Sequence, residues 1–168
     1  MKTIVTTELS RKSLKEAKNK LIKYTDAYEK GLENAIKYAT EAMYNKVLEY
    51  CYGNGISNHT SNIYWKYENG IGRVWTNDWV IIFNEMGTGI VGSQNPHPNP
   101  DGPFKAWKYD VNEHGEKGWK YPKEDGTYGW TKGLPSRHMF FDAFNDIKDE
   151  IGEYVDIEIR KTVGDMYW

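Results

Sequence analysis

Trp79-Val80-Ile81-Ile82-Phe83-Asn84-Glu85-Met86-Gly87-Thr88-Gly89 is the stretch on which the reading of the fold turns. Its first five residues are an unbroken apolar run, β-branched or aromatic, which suits a strand covered on both faces. The run meets a carboxylate at Glu85 and stops at Gly87-Thr88-Gly89, a turn whose glycines mark backbone needing positive φ or very close approach. The stretch divides the chain. Before it the pattern is regular; after it come 49 residues (87–135) rich in Gly, Pro, Trp, Tyr and Lys, and only then a second helical pattern.

Immediately upstream, Ile63-Tyr64-Trp65-Lys66-Tyr67 and Arg73-Val74-Trp75-Thr76 flank Asn69-Gly70, a strong hairpin signal. Asn77-Asp78 then reads as a second tight turn into Trp79–Glu85, giving a three-stranded antiparallel meander. Thr3-Ile4-Val5-Thr6-Thr7 is β-branched and reads as a further, N-terminal strand. Between them lies a long helical pattern. Leu14, Ala17, Leu21, Tyr24, Tyr28, Leu32, Ala35, Ile36, Ala39, Met43, Val47 and Leu48 recur at steps of three and four, opposite a face of Lys and Glu. An unbroken helix from 10 to 52 would be about 64 Å long, against a radius of gyration of about 15 Å for a compact domain of this size. The helix therefore either breaks or projects, and a break at Thr25-Asp26 or at Gly31 is the form the sequence predicts. Gly53-Asn54-Gly55 ends the pattern.

Downstream, four prolines within 96–103 forbid a helix or a central strand. Gly118–Tyr121 and Thr127–Thr131, with Asp125-Gly126 before the second, can pair as a hairpin. Pro135-Ser136-Arg137-His138 reopens helical structure with Ser136 as N-cap, and Phe140, Phe141, Phe144, Ile147 and Ile151 form its apolar face. Val155, Ile157 and Ile159 alternate as in a last strand, although 147, 151, 155, 159 and 163 also keep a helical step. The expected fold is α+β: a small antiparallel sheet (N-terminal strand plus three-strand meander) packed on a long N-terminal and a C-terminal helix. The 168 residues are expected to form a single domain, with 87–135 an extended loop within it.

Composition narrows the chemistry. A chain of this size buries roughly 70% of its unfolded surface and needs no disulfide or metal to fold. Its lone cysteine, Cys51, closes a helical stripe and reads as a small buried hydrophobe in a reducing compartment. Neither a signal peptide nor a membrane span is visible. The net charge of −2 offers no general case for nucleic-acid binding. His97, Asp101, His114 and His138 lack metal-site spacing, so no metal or cofactor is expected, and these histidines read as surface residues. Gly87-Thr88-Gly89 resembles part of a phosphate loop, but it lacks the lysine and a helix directly behind it. Glu85 reads as fixing the turn, by accepting from backbone amides or by pairing with a basic residue such as Arg137. Trp107, Trp119, Tyr121, Tyr128 and Trp130 alternate with lysines, a pattern suited to a protein interface, with single-stranded nucleic acid or glycan stacking as the alternative.

The order of these pieces resembles the neck or head–tail joining proteins of long-tailed double-stranded DNA bacteriophages, the gene-product-ten-like minor capsid or tail-completion family. Two motifs carry the resemblance: Glu85-Met86-Gly87-Thr88-Gly89, and Thr131, Gly133, Ser136, Arg137, Met139 and Phe140 opening a helix. The chain departs from the common pattern at Met86, where an aromatic is frequent, and at His138, where proline is. The resemblance implies a structural subunit without catalysis or cofactor, forming a six- or twelve-fold ring between portal and tail. DNA would pass through without sequence-specific binding, and the neighbours would be other neck, connector and tail proteins. The tail terminator belongs to the same class. It further implies a virion component assembled in the bacterial cytoplasm. Interface residues implied on this chain are Glu85, Gly87, Thr88, Gly89, Trp107, Trp119, Trp130, Arg137 and Phe140.

Overall fold

A computed structural model describes residues 11–99, 105–123 and 125–164. The strand expected at Thr3–Thr7 lies outside them. The fold is α+β, with two separate two-stranded antiparallel sheets among the described residues. These residues divide into two compact units, 11–39 with 150–164, and 40–149.

Helix α1 (Arg11–Gly53) contributes to both units and runs without the predicted break. Gly31 explains the discrepancy. It sits under helix α5 (Ile151–Val163), where an added Cβ would lie 2.9 Å from the Ile159 Cα. The glycine is there for close backbone approach, not to end a helix. The strand expected over 155–159 is therefore part of α5. Its step-of-four apolar set prevails over the alternation, and Glu153 in the first turn with Arg160 and Lys161 in the last suits the helix dipole.

In the larger unit, β1 (Ile63–Glu68) pairs with β2 (Ile71–Thr76) around Asn69 and Gly70, whose φ of 51° and 77° fit the predicted two-residue turn. The third strand of the expected meander does not exist. Trp79–Met86 is helix α2, with Asp78 as its N-cap accepting from the Val80 N–H at 2.8 Å. The Asp78 carboxylate also bonds His59 and the Asn62 amide. Burial opposes its ionisation, but the bonds from His59, Asn62 and Val80 prevail and hold its pKa below the usual range. An apolar run of this length fits either a strand or a helix. The burial of Ile81, Asn84 and Glu85 on one face, with Trp79, Val80 and Phe83 exposed, is helical.

The core of this unit joins Val47 and Cys51 of α1, Ile63 of β1, Ile81 of α2, and Met139 and Ala143 of α4 (Met139–Lys148). Cys51 is fully buried, as its place on the stripe implied. Burial pushes its thiol up to about 11, with Glu85 adding to the shift.

The described residues within 87–135 hold more regular structure than a loop. Helix α3 (Gly89–Gln94) follows the Gly-Thr-Gly turn at once, and strands β3 (Trp119–Pro122) and β4 (Tyr128–Thr131) form the second hairpin foreseen from the sequence. The short β5 (Gly133–Leu134) returns to bridge Thr88 and Gly89.

Gly31 gives a test with an unusual sign. Gly→Ala inside an exposed helix typically stabilises by about 1 kcal/mol. Gly31→Ala is expected instead to lower the melting temperature followed by circular dichroism, because α5 must move to admit the methyl group.

Candidate functional site

The first turn of α4 has no cap of its own. Its N-cap residue is His138, in a left-handed conformation and without a side-chain cap bond, so Ser136 is not the cap the sequence predicted. The exposed amide donors of a helix start need acceptors. Glu85, on α2, supplies them from across the fold. One carboxylate oxygen accepts from the Phe140 N–H at 2.9 Å, the other from the Phe141 N–H at 3.2 Å. The Glu85 carbonyl accepts from the Ser136 hydroxyl and the His138 N–H, and the Asn84 carbonyl from the Arg137 N–H at 2.7 Å. Glu85 is 8% exposed, so these bonds lie in a shielded setting where a charged acceptor at a helix N-terminus is favoured.

His97 completes the arrangement. Its Nε2 lies 3.2 Å from Glu85 and its ring stands edge-on to Phe141. Its Nδ1 lies 3.0 Å from the Asn99 N–H and 3.3 Å from the Asn99 carbonyl. Both ring nitrogens are thus engaged. The sequence placed His97 on the surface; instead its side chain is nine-tenths buried. Only its position amid prolines, which hold the backbone extended, hinted at a fixed role.

The expected Glu85–Arg137 pair is not formed. The Arg137 guanidinium reaches the Asn54 carbonyl just beyond the end of α1. The alternative reading of Glu85, as an acceptor for backbone amides, is the one the geometry has.

The two motifs singled out in the sequence are one structural junction. Thr88 and Gly89 bridge Leu134 and Gly133, and the Thr88 hydroxyl accepts from the Leu134 N–H. A Cβ at Gly133 would overlap the Thr88 carbonyl, and one at Gly87, where φ is +81°, would come 2.8 Å from the Ser136 nitrogen. Glu85, Gly87, Thr88, Gly89, Arg137 and Phe140 therefore meet at one place. Trp107 joins them by donating from its indole to the Gly87 carbonyl at 2.9 Å. The absence of a helix behind the Gly-Thr-Gly turn is corrected by α3, but its first amides are already spent. The Gly89 N–H donates to the Tyr109 carbonyl and the Val91 N–H to the Lys132 carbonyl.

Beside the junction opens a cleft of about 1110 Å³ lined by Trp79, Phe83, Trp107, Tyr109, Trp119 and Trp130. Phe83 bridges two of the indoles, 5.8 Å from Trp79 and 6.1 Å from Trp107 between ring centres. Trp119 packs on His114, and Trp130 lines the cleft while remaining 56% exposed. Asp110 in the wall is committed to the Gly115 and His114 N–H groups, which hold its carboxyl below the usual range. Lys108 and Lys120 at the rim form no ion pair among the described residues. A second pocket, of about 510 Å³, has Glu85 and His97 among apolar neighbours that include Trp75 and Phe144.

Among the described residues no three His, Cys, Asp or Glu side chains are grouped as a metal site requires, and no helix is long and apolar enough to cross a membrane. No family model, curated protein or solved structure matches the chain.

Glu85→Ala removes acceptors from two buried amides and from His97, and is expected to cost about 2 kcal/mol of stability. Glu85→Gln, which keeps one acceptor, should cost less. Denaturant unfolding followed by tryptophan fluorescence reads this unit, since six of the seven tryptophans lie within 40–149. A double exchange of Glu85→Arg with Arg137→Glu is expected to give no rescue, because the two side chains serve different partners.

Proposed function

We propose that this chain is a structural subunit of a phage neck, joining head to tail as one member of a ring. The supporting observation is the aromatic surface around the cleft. Trp79 at 63% and Trp130 at 56% exposure line it, and Tyr128, 71% exposed, lies on the same strand as Trp130. Exposed apolar surface of this kind suits a protein contact site, and Trp and Tyr are enriched among the residues that dominate interface energetics. A ring repeats one heterologous contact until rotation closes it, so a single such face with a complementary patch elsewhere is sufficient. The near-neutral charge suits a passage through which DNA slides without extensive phosphate neutralisation. The polar groups of Glu85 and His97 are occupied in holding α4, in keeping with a scaffold role for them.

The alternative, a binding module for nucleic acid or glycan, draws on Lys108 and Lys120, which form no ion pair among the described residues, in an aromatic-lined cleft. One experiment separates the two. Trp79→Ser combined with Trp130→Ser alters exposed side chains, so the circular dichroism spectrum is expected to remain that of the parent. The ring reading expects the solution mass to fall from an oligomer to a monomer, and tail-less heads to accumulate when the variant replaces the parent during assembly. A parent that is monomeric at high concentration, or an unchanged mass in the variant, would overturn it. Oligonucleotide or sugar binding lost on Trp107→Ala or Trp119→Ala would support the alternative.

A further inference from the structure

Helix α1 carries a seam that its own chain covers only in part. Leu14, Ala17, Leu21, Tyr24, Tyr28, Gly31, Ala35 and Tyr38 alternate steps of three and four without interruption. That spacing averages 3.5 residues, the period by which a helix keeps one face against another helix. Within the smaller unit the seam is occupied at Gly31 and Ala35, while Tyr38 at its end is exposed. Ala35 is buried, and α5 lies over Gly31 closely enough to exclude a Cβ. Towards the N-terminus the same seam is open to solvent: Leu14, Leu21 and Tyr28 are exposed, Leu21 at 66%.

The flanks of the open part are basic. Residues 14–28 hold four lysines against Glu16 and Asp26, a net of +2. With Leu14 as the first core position, Lys18 and Lys20 fall on the two positions beside the seam whose charges select a partner. Neither is in an ion pair among the described residues. A second copy of α1 would bring the same excess of positive charge, which disfavours self-pairing here. The helix that covers the adjoining part of the seam has the opposite character. Glu150, Glu153, Asp156 and Glu158 outnumber Arg160 and Lys161 along α5 and its N-cap.

We infer that residues 14–28 of α1 form a docking surface for an acidic amphipathic helix of another protein, which extends the helix–helix seam that α5 begins. The inference stands apart from the neck reading and does not depend on the aromatic cleft.

The test uses the full chain and two synthetic three-heptad peptides with leucine at both core positions. One peptide carries glutamate at the flanking positions and the other lysine. Fluorescence anisotropy at about 0.1 M salt is expected to show the acidic peptide binding at least about tenfold more tightly than the basic one, since charges this close are only partly screened. Leu21→Glu should weaken the acidic peptide by about tenfold or more. Lys18→Glu with Lys20→Glu should reverse the preference between peptides. These positions are exposed, so the variants should keep the parent circular dichroism spectrum and melting temperature. Equal binding of both peptides, no binding, or indifference to Leu21→Glu would overturn the inference. So would a solution dimer that Leu21→Glu converts to monomer, which would make a second copy the occupant.

Discussion

The larger unit depends on one carboxylate placed at the start of a helix that cannot cap itself. Helix α4 supplies Met139 and Ala143 to the core, yet begins at a left-handed His138 whose side chain bonds Asp142 instead of the first-turn amides. Amides shielded from water and left without acceptors would cost about 1–3 kcal/mol each. Glu85 resolves this from another helix, 55 residues earlier in sequence than Phe140. The same residue fixes the chain before α4 through its carbonyl, and its carboxylate contacts the His97 ring. The carboxylate therefore ties α2, the 95–99 segment and α4 together.

That arrangement accounts for the glycines. Once Glu85 meets α4, the segments on either side run back to back, Thr88-Gly89 against Gly133-Leu134. The separation leaves no room for side chains at Gly87, Gly89 or Gly133. A turn that looks in the sequence like part of an anion-binding loop is thus a point of chain crossing. Its helix, α3, begins with amides already donated to Tyr109 and Lys132.

Local signals were legible and long-range ones were not. Asn69-Gly70 and the 118–131 hairpin rest on turn chemistry that needs no distant partner, and both were readable. So was the burial of Cys51, because it continues a helical stripe. The run Trp79–Phe83 was not, since five apolar residues carry neither period, and the decisive signal was the cap at Asp78, which also resembles a turn. Gly31 looked like a breaker because its reason, the backbone of α5, lies more than a hundred residues away. Arg137 was matched to the wrong partner for a similar reason. Charge suggests a carboxylate, whereas the open carbonyls at the end of α1 are an equally good acceptor for a guanidinium. His97 was not among the residues the sequence singled out at this junction, because its burial depends on Glu85 reaching across from α2.

The junction and the aromatic cleft are joined by a single indole, and this has a mechanical consequence. Trp107 forms part of the cleft wall, packs at a tilt against Phe83 of α2, and donates to the Gly87 carbonyl two residues from Glu85. A partner seated in the cleft would press on groups whose positions set the cap of α4. Shifts of a fraction of an ångström are transmitted in close-packed interiors because neighbouring atoms have little free volume. Conversely, the cap fixes the wall, so the cleft is pre-organised and the entropic cost of ordering it falls on folding instead of on association. An interface built this way can bind with little backbone rearrangement. The charged group that closes the fold is also the one that holds the surface ready.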